Sequence, residues 1–292
     1  MKFRSGSVLA GVALSAGLLA GCGSEPSADS GEPPIQVAPV PDLRTFVLPL
    51  DMYRDSGAGA TMVAEAYVIL FTDCMHLFGF EVPSPAIGPV PVVGYELRYG
   101  LADETKAQQL GYHVTPTMSP EQAEVPEEPS AEYQAVALGS GPTSYDGKLI
   151  PEGGCSGESW RRLAEGAPPV EDPRLGDRLT SEAFLRMKQD SRVRAVFAEW
   201  SECMGQQGFQ YAEPFDAVDD PAFQTDQPSA AEIAVASADV RCKKEAKVIE
   251  VQAAVETAYH LRAIDTNQES LELVRVWVEA RQRNAARVVA GG

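Results

Sequence analysis

The sequence predicts a mainly α-helical protein: two disulfide-stapled helical units with long C-terminal helices, and room for one small β-hairpin in the first unit. Three observations carry this. From Ser229 to Ala290 there is neither glycine nor proline. Two apolar stripes at helical spacing each run into a cysteine. Segments with strand character are confined to the stretch between Tyr133 and Ile150.

The chain opens with Lys2 and Arg4, followed by an apolar, small-residue stretch from Val8 to Ala20. That stretch is shorter than the roughly 20 residues needed to span a bilayer and suits the h-region of a signal peptide. It ends in Leu19-Ala20-Gly21-Cys22, which resembles the lipobox of bacterial lipoproteins. The resemblance implies a signal peptide over 1–21, diacylglycerol on the Cys22 thiol, palmitate-type acylation and attachment to the outer face of the cell membrane. Loss of Lys2 and Arg4 leaves 22 basic against 42 acidic residues, a charge of −20. Anionic headgroups repel such a body, so attachment rests on the acyl chains. Residues 22–43 are rich in Pro, Ser and Gly and read as a lipidated, flexible tether that holds the body off the membrane.

With Cys22 assigned to lipid, four cysteines remain, and an even number outside the cytoplasm implies disulfides. Four cysteines allow three pairings. Asp73-Cys-Met-His-Leu-Phe-Gly-Phe80 aligns with Glu202-Cys-Met-Gly-Gln-Gln-Gly-Phe209. Ala64, Tyr67, Val68 and Phe71 align with Val193, Val196, Phe197 and Trp200, each set forming a stripe that leads into its cysteine. The glycine five residues after each cysteine suits a left-handed helix C-terminus. A duplicated unit pairs within itself, predicting Cys74–Cys155 and Cys203–Cys242. A zinc site is the competing reading, but no C-x2-C or H-x3-H spacing supports it. The paired Cys-Met-x3-Gly-aromatic pattern, with Gly-Gly-Cys before a short helix, resembles a set of uncharacterised actinobacterial lipoproteins; that family implies the architecture and no activity.

The first unit, 44–166, begins with a mixed lead-in over 44–56. A helix follows from about Thr61 to Phe78, and then a proline-rich loop over Val82–Val93. Asp103 to Leu110 forms a short helix closed by Gly111. Thr115 to Ser130 is an acidic loop. Tyr133 to Leu138 reads as a short strand pairing with Lys148-Leu149-Ile150 across Gly139–Gly147. Cys155 starts a short helix that ends at Gly166. A linker over 167–180 separates this from the second unit, 181–292, with helices over Ser181–Lys188 and Ser191–Gln207 and an acidic loop over 212–228. Ser229-Ala-Ala-Glu232 is a capping box. As one helix, the 62 residues from Ser229 would reach about 93 Å, and Asp265-Thr266-Asn267 favours caps, so a break falls there. Cys242, Ala246, Ile249 and Ala253 face one way and Val251, Val255 and Ala258 roughly the other, so this helix touches two neighbours. The heptad-like spacing of Leu271, Val274, Val278, Ala285 and Val288 fits intramolecular packing better than a partner-binding coiled coil.

Net charge and composition argue against nucleic acid as a partner. H-E-x-x-H, G-x-S-x-G, S-x-x-K and the P-loop are absent. His76 and Cys74 diverge by about 200° on a helix and share no metal; no catalytic residue, metal site or cofactor is assigned. Two clusters remain as candidates: Arg241, Lys243, Lys244 and Lys247 for contact with an anion or cell-wall polymer, and Arg98, Tyr99, Tyr112 and His113 for a sugar or peptide pocket. Each also fits a bland reading, as ion-pair partners and as turn packing. The function expected is a non-enzymatic, lipid-anchored interaction module with an envelope protein or cell-wall polymer as partner. The rivals are an envelope hydrolase with unassigned carboxylates, which needs two of them about 5–9 Å apart in a cleft, and a solute-binding lipoprotein, which needs more strands.

Overall fold

A computed structural model describes residues 31–40, 42–82, 95, 98–113 and 129–291. The segment 1–21 read as a signal peptide, Cys22, most of the proline-rich loop after Val82 and most of the acidic loop before Ser130 lie outside the described residues. Helix dominates, and among the described residues the sheet is a single two-stranded hairpin.

After a 3-10 turn, Pro49–Tyr53, helix α1 spans Gly57–Leu77, α2 Glu104–Leu110, and α3 Ala131–Leu138. Strands β1, Ser144–Tyr145, and β2, Lys148–Leu149, pair antiparallel. Helices α4, Gly154–Leu163, α5, Leu175–Gln189, and α6, Ser191–Gln206, follow. The chain closes with α7, Pro214–Val218, a 3-10 turn Pro221–Phe223, α8, Ala230–Glu245, α9, Val248–Thr266, and α10, Gln268–Gly291.

Side-chain caps start four helices where the sequence has Asp or Ser. Asp103 accepts from Thr105 and Lys106 N–H, Ser130 from Tyr133, Asp190 from Arg192, and Ser229 from Glu232. Each such cap contributes about 1 kcal/mol. Both cysteine-bearing helices end alike. Gly79 N–H bonds His76 O and Phe80 N–H bonds Met75 O; Gly208 N–H bonds Gly205 O and Phe209 N–H bonds Met204 O. This is the Schellman pattern, with Gly79 at φ +82° and Gly208 at φ +90°. Each cysteine finds its expected partner: Cys74–Cys155 joins α1 to α4, and Cys203–Cys242 joins α6 to α8, both with Cα atoms 5.6 Å apart.

Helix α9 is the centre of the packing. It touches α5, α6, α8, α10 and the first 3-10 turn, and it carries buried Val251, Ala253, Val255 and Tyr259 in the largest apolar cluster, with Trp200, Phe197 and Met187. A smaller cluster around Cys74–Cys155 holds Met75, Phe78, Val136 and Ala137. Segments assigned to different units pack together: α1 lies along α10, and the 3-10 turn sits on α5, α9 and α10. Arg281 on α10 lies between the rings of Trp160 and Trp277, 4.8 and 4.4 Å from their centroids, and pairs with Asp55 at 3.0 Å. Asn284 donates to the Leu163 and Glu165 carbonyls at the end of α4.

Several local expectations need correction. Tyr133–Leu138 is helical: Ser130 caps it, Gly139 ends it in the left-handed region, and adjacent Val136 and Ala137 are both buried, which a strand with one covered face does not allow. The hairpin instead turns at Asp146-Gly147, both at positive φ, the geometry of a two-residue type I′ turn. Between α8 and α9 there is a second break, at Lys247, at φ +54°, a conformation that costs a non-glycine residue about 1 kcal/mol. The break at Asn267 falls where expected. The acidic loop 212–228 contains α7 and a 3-10 turn, because Phe215 packs on Phe184 and Phe197. The stretch 167–180 is not free linker: α5 starts at Leu175, and Leu175 and Leu179 are buried. The later part of the segment read as a tether over 22–43 is packed. Pro33 and Leu43 are buried, and Ile35 and Val40 pack against the largest cluster.

Candidate functional site

The residues proposed as a pocket split between two buried carboxylates. Arg98 donates through Nε to Glu256 Oε1 at 2.8 Å and through Nη2 to the same oxygen and to Thr180 O. Tyr99 donates its hydroxyl to Glu256 Oε2 at 2.7 Å. Glu256 is fully buried on α9. Burial raises the pKa of its carboxyl, but donors from His260, Arg98 and Tyr99 outweigh that and hold it below the ordinary value. Leu50 N–H donates to His260 Nδ1 at 3.2 Å, so the neutral ring carries its proton on Nε2, which faces Glu256 Oε1 at 3.5 Å. Beside this, Tyr95 donates its hydroxyl to Asp51 at 2.6 Å, and Asp51 accepts from Leu48 N–H. Burial and the Tyr95–Asp51 and Tyr99–Glu256 bonds raise both phenol pKa values.

Tyr112 and His113 go to Glu232, at the start of α8. Tyr112 N–H and His113 Nδ1 each lie 2.8 Å from Glu232 Oε1, and His113 Nε2 lies 2.6 Å from Thr225 O. Both ring nitrogens therefore face acceptors, an arrangement only the imidazolium satisfies in full. The Thr225 carbonyl and the Glu232 carboxylate accordingly raise the His113 pKa. The Tyr112 hydroxyl is buried beside Asp239, and burial together with that carboxylate raises its pKa.

The basic quartet is also divided. Arg241, Lys244 and Lys247 are exposed, and Arg241 donates to Gln207 Oε1 at 3.3 Å. Lys243 is buried, with Nζ 2.7 Å from Asp239 Oδ2 and 3.2 Å from Leu101 O. It is therefore not a surface contact for a polymer: Asp239 sits four residues earlier on the same helix face. Asp239 also accepts from Trp200 Nε1 at 2.9 Å. Burial pushes its pKa up, against the pull of Lys243.

One concave feature escaped the sequence reading. A groove of 530 Å³ runs between the extended segment 34–40 and one stripe of α9. The stripe is Glu250, Ala253, Ala254, Thr257, Ala258 and Leu261, at helical spacing. Small residues set its floor, and Ile35, Val40 and Phe46 form the other wall. The signal lies in the small, mostly uncharged residues of this stripe, but the prolines of the facing segment read as a tether. Among the described residues, no group of three or more His, Cys, Asp or Glu is placed to hold a metal. Comparison of the chain with protein-family models, with curated proteins and with solved structures finds no match.

Proposed function

We propose that the chain is a lipid-anchored interaction module on the outer face of the cell membrane, acting by binding an envelope protein or cell-wall polymer rather than by catalysis. The observation that carries the reading is Leu19-Ala20-Gly21-Cys22 at the end of a short apolar stretch. Commitment of the four other cysteines to two disulfides supports an oxidising compartment. The binding role is supported by the use made of the buried ionisable groups. Glu256, Glu232 and Asp239 each hold a loop or helix in place through bonds to Arg98 and Tyr99, to Tyr112 and His113, and to Lys243 and Trp200.

Cell fractionation of wild type and Cys22→Ser, with mass analysis of the mature N-terminal peptide, tests the anchor. The expected result is a diacylglyceryl mass on Cys22 and loss of the variant from the membrane fraction. A variant that stays in the membrane at the normal processed mass refutes the reading.

A further inference from the structure

The packing of Pro33, Ile35, Val40 and Leu43 limits the chain left to connect Cys22 to the body. Only residues 22–32 remain ahead of Pro33, where the compact unit Pro33–Gly292 begins. Eleven residues span at most about 40 Å even when fully extended. A compact unit of this length has a radius of gyration of about 18 Å and is about 45 Å across. An anchor at Cys22 therefore cannot reach around to the far side. The side that carries residues 33–47 is the one it draws toward the bilayer.

That side is unusual for so acidic a chain. Between Glu32 and Asp51 the only charges are Asp42 and Arg44, and these pair with each other at 2.8 Å. The groove opens here, and the segments that form it expose apolar side chains: Leu261 in its lining at 51% exposure, and Val37 at 49% and Val47 at 70%, next in sequence to the lining residues Gln36, Ala38 and Phe46. Among the described residues, Glu250 is the one charged residue in the lining. A second exposed apolar group, Leu77, Leu138 and Leu149, belongs to the elements around Cys74–Cys155 and has no such link to the anchor.

We infer that the face formed by residues 34–47 and the 250–261 stripe of α9 rests on the membrane, with the headgroup and upper acyl layer of the bilayer as its partner. The inference builds on the anchoring proposed above. With only Glu250 besides the Asp42–Arg44 pair among its described groove-lining and 34–47 residues, this face is sparsely charged and can approach headgroups that repel the rest of the body, and its apolar side chains enter the interface. The opposite surface is left for partners in the envelope.

The test uses full-length lipidated protein in phosphatidylcholine vesicles, with the photo-crosslinker p-benzoylphenylalanine at Val47, Leu261 or Leu149. Phospholipid adducts at 47 and 261 should exceed those at 149 at least ten-fold. Equal adducts at all three positions, or adducts confined to 149, overturn the inference. Cross-links from 261 to a second copy of the chain overturn it in favour of self-association. The mass of the N-terminal peptide reports the anchor separately. If Cys22 is bare, its thiol is coupled to a maleimide-bearing lipid in the same vesicles and the same adduct ratio is read. The anchoring proposal then fails alone, and the ratio still decides the face.

Discussion

The two helix ends that carry Cys74 and Cys203 share a local structure and differ in everything they touch. Both end in the same pair of backbone bonds around a left-handed glycine, and both bury the methionine after the cysteine completely. Around Cys74 the neighbours are apolar and aromatic. Phe80 lies against Tyr133 and Tyr145, and the cluster is small. Around Cys203 the helix enters the largest cluster, and its disulfide partner on α8 is followed immediately by Lys243, whose charge is buried against Asp239. The repeated motif therefore dictates how a helix stops and which way its sulfur points. What the sulfur is fastened to depends on residues far away in sequence. The first staple secures a satellite cluster, and the second secures the core.

This comparison predicts a graded set of effects. Replacing both cysteines of a pair by serine removes a loop constraint worth about 4.5 kcal/mol for the separation of 81 residues and about 4 kcal/mol for that of 39. The locations of the losses should differ. Without Cys74–Cys155, hydrogen exchange should quicken around Val136 and Ala137 while Trp200 and its neighbours stay protected. Without Cys203–Cys242, protection should fall throughout. Identical global loss in both variants would break the comparison.

Lys243→Met should cost about 3 kcal/mol or more in denaturant unfolding, because it leaves Asp239 buried and unpaired. Adding Asp239→Leu should restore most of that loss, since two apolar side chains can replace a buried ion pair. A double variant no more stable than Lys243→Met would show that the Trp200–Asp239 bond matters more than the charge pair.

Glycine substitutions probe local against tertiary strain. A Cβ on Gly154, at φ +65°, would lie 2.5 Å from both Val136 O and Gly139 N. Gly154→Ala should therefore cost about 3 kcal/mol. Gly79 and Gly208 have open space at the Cβ position, so alanine at either should cost only the left-handed strain, about 1 kcal/mol, and equally. Unequal costs at 79 and 208 would mean that the two helix ends are not equivalent.

The smallest effect is a pH dependence. His113 has its pKa raised above the ordinary 6.5 by Thr225 O and Glu232. Its contribution to stability is full below the unfolded value and is lost as pH rises through the folded one. Thermal unfolding between pH 6 and pH 9 should show this slope in wild type and a flatter profile in His113→Gln. An unchanged slope would remove the imidazolium from the account.

Much of the fold was legible because its signals are local. Ser229 caps the helix that follows it, the Asp265-Thr266-Asn267 stretch breaks the long C-terminal run, and the motif pair predicts both disulfides. Missed features depend on distant partners. Lys247 adopts a left-handed conformation that nothing in its neighbours announces. Pro33 to Leu43 looks unable to pack because it lacks periodicity, yet a segment without periodicity can still lay Ile35 and Val40 against the largest apolar cluster. Lys243 stands in a cluster of four basic residues over 241–247 that reads as a contact for an anion or polymer, and only its spacing from Asp239 hints at a buried pair. Arg98, Tyr99, Tyr112 and His113 were grouped by proximity in the chain. Their carboxylate partners, Glu256 and Glu232, lie more than a hundred residues further on.

The proposed anchoring and the two disulfides together divide the five cysteines, Cys22 for the membrane and the other four for the fold. Unreduced protein taken from the membrane fraction, digested and mapped by mass spectrometry, reads all five at once. The account predicts a lipid-modified peptide beginning at Cys22, one linked pair containing Cys74 and Cys155, and one containing Cys203 and Cys242. An unmodified Cys22, or a bond that joins it to any of the other four, would contradict it.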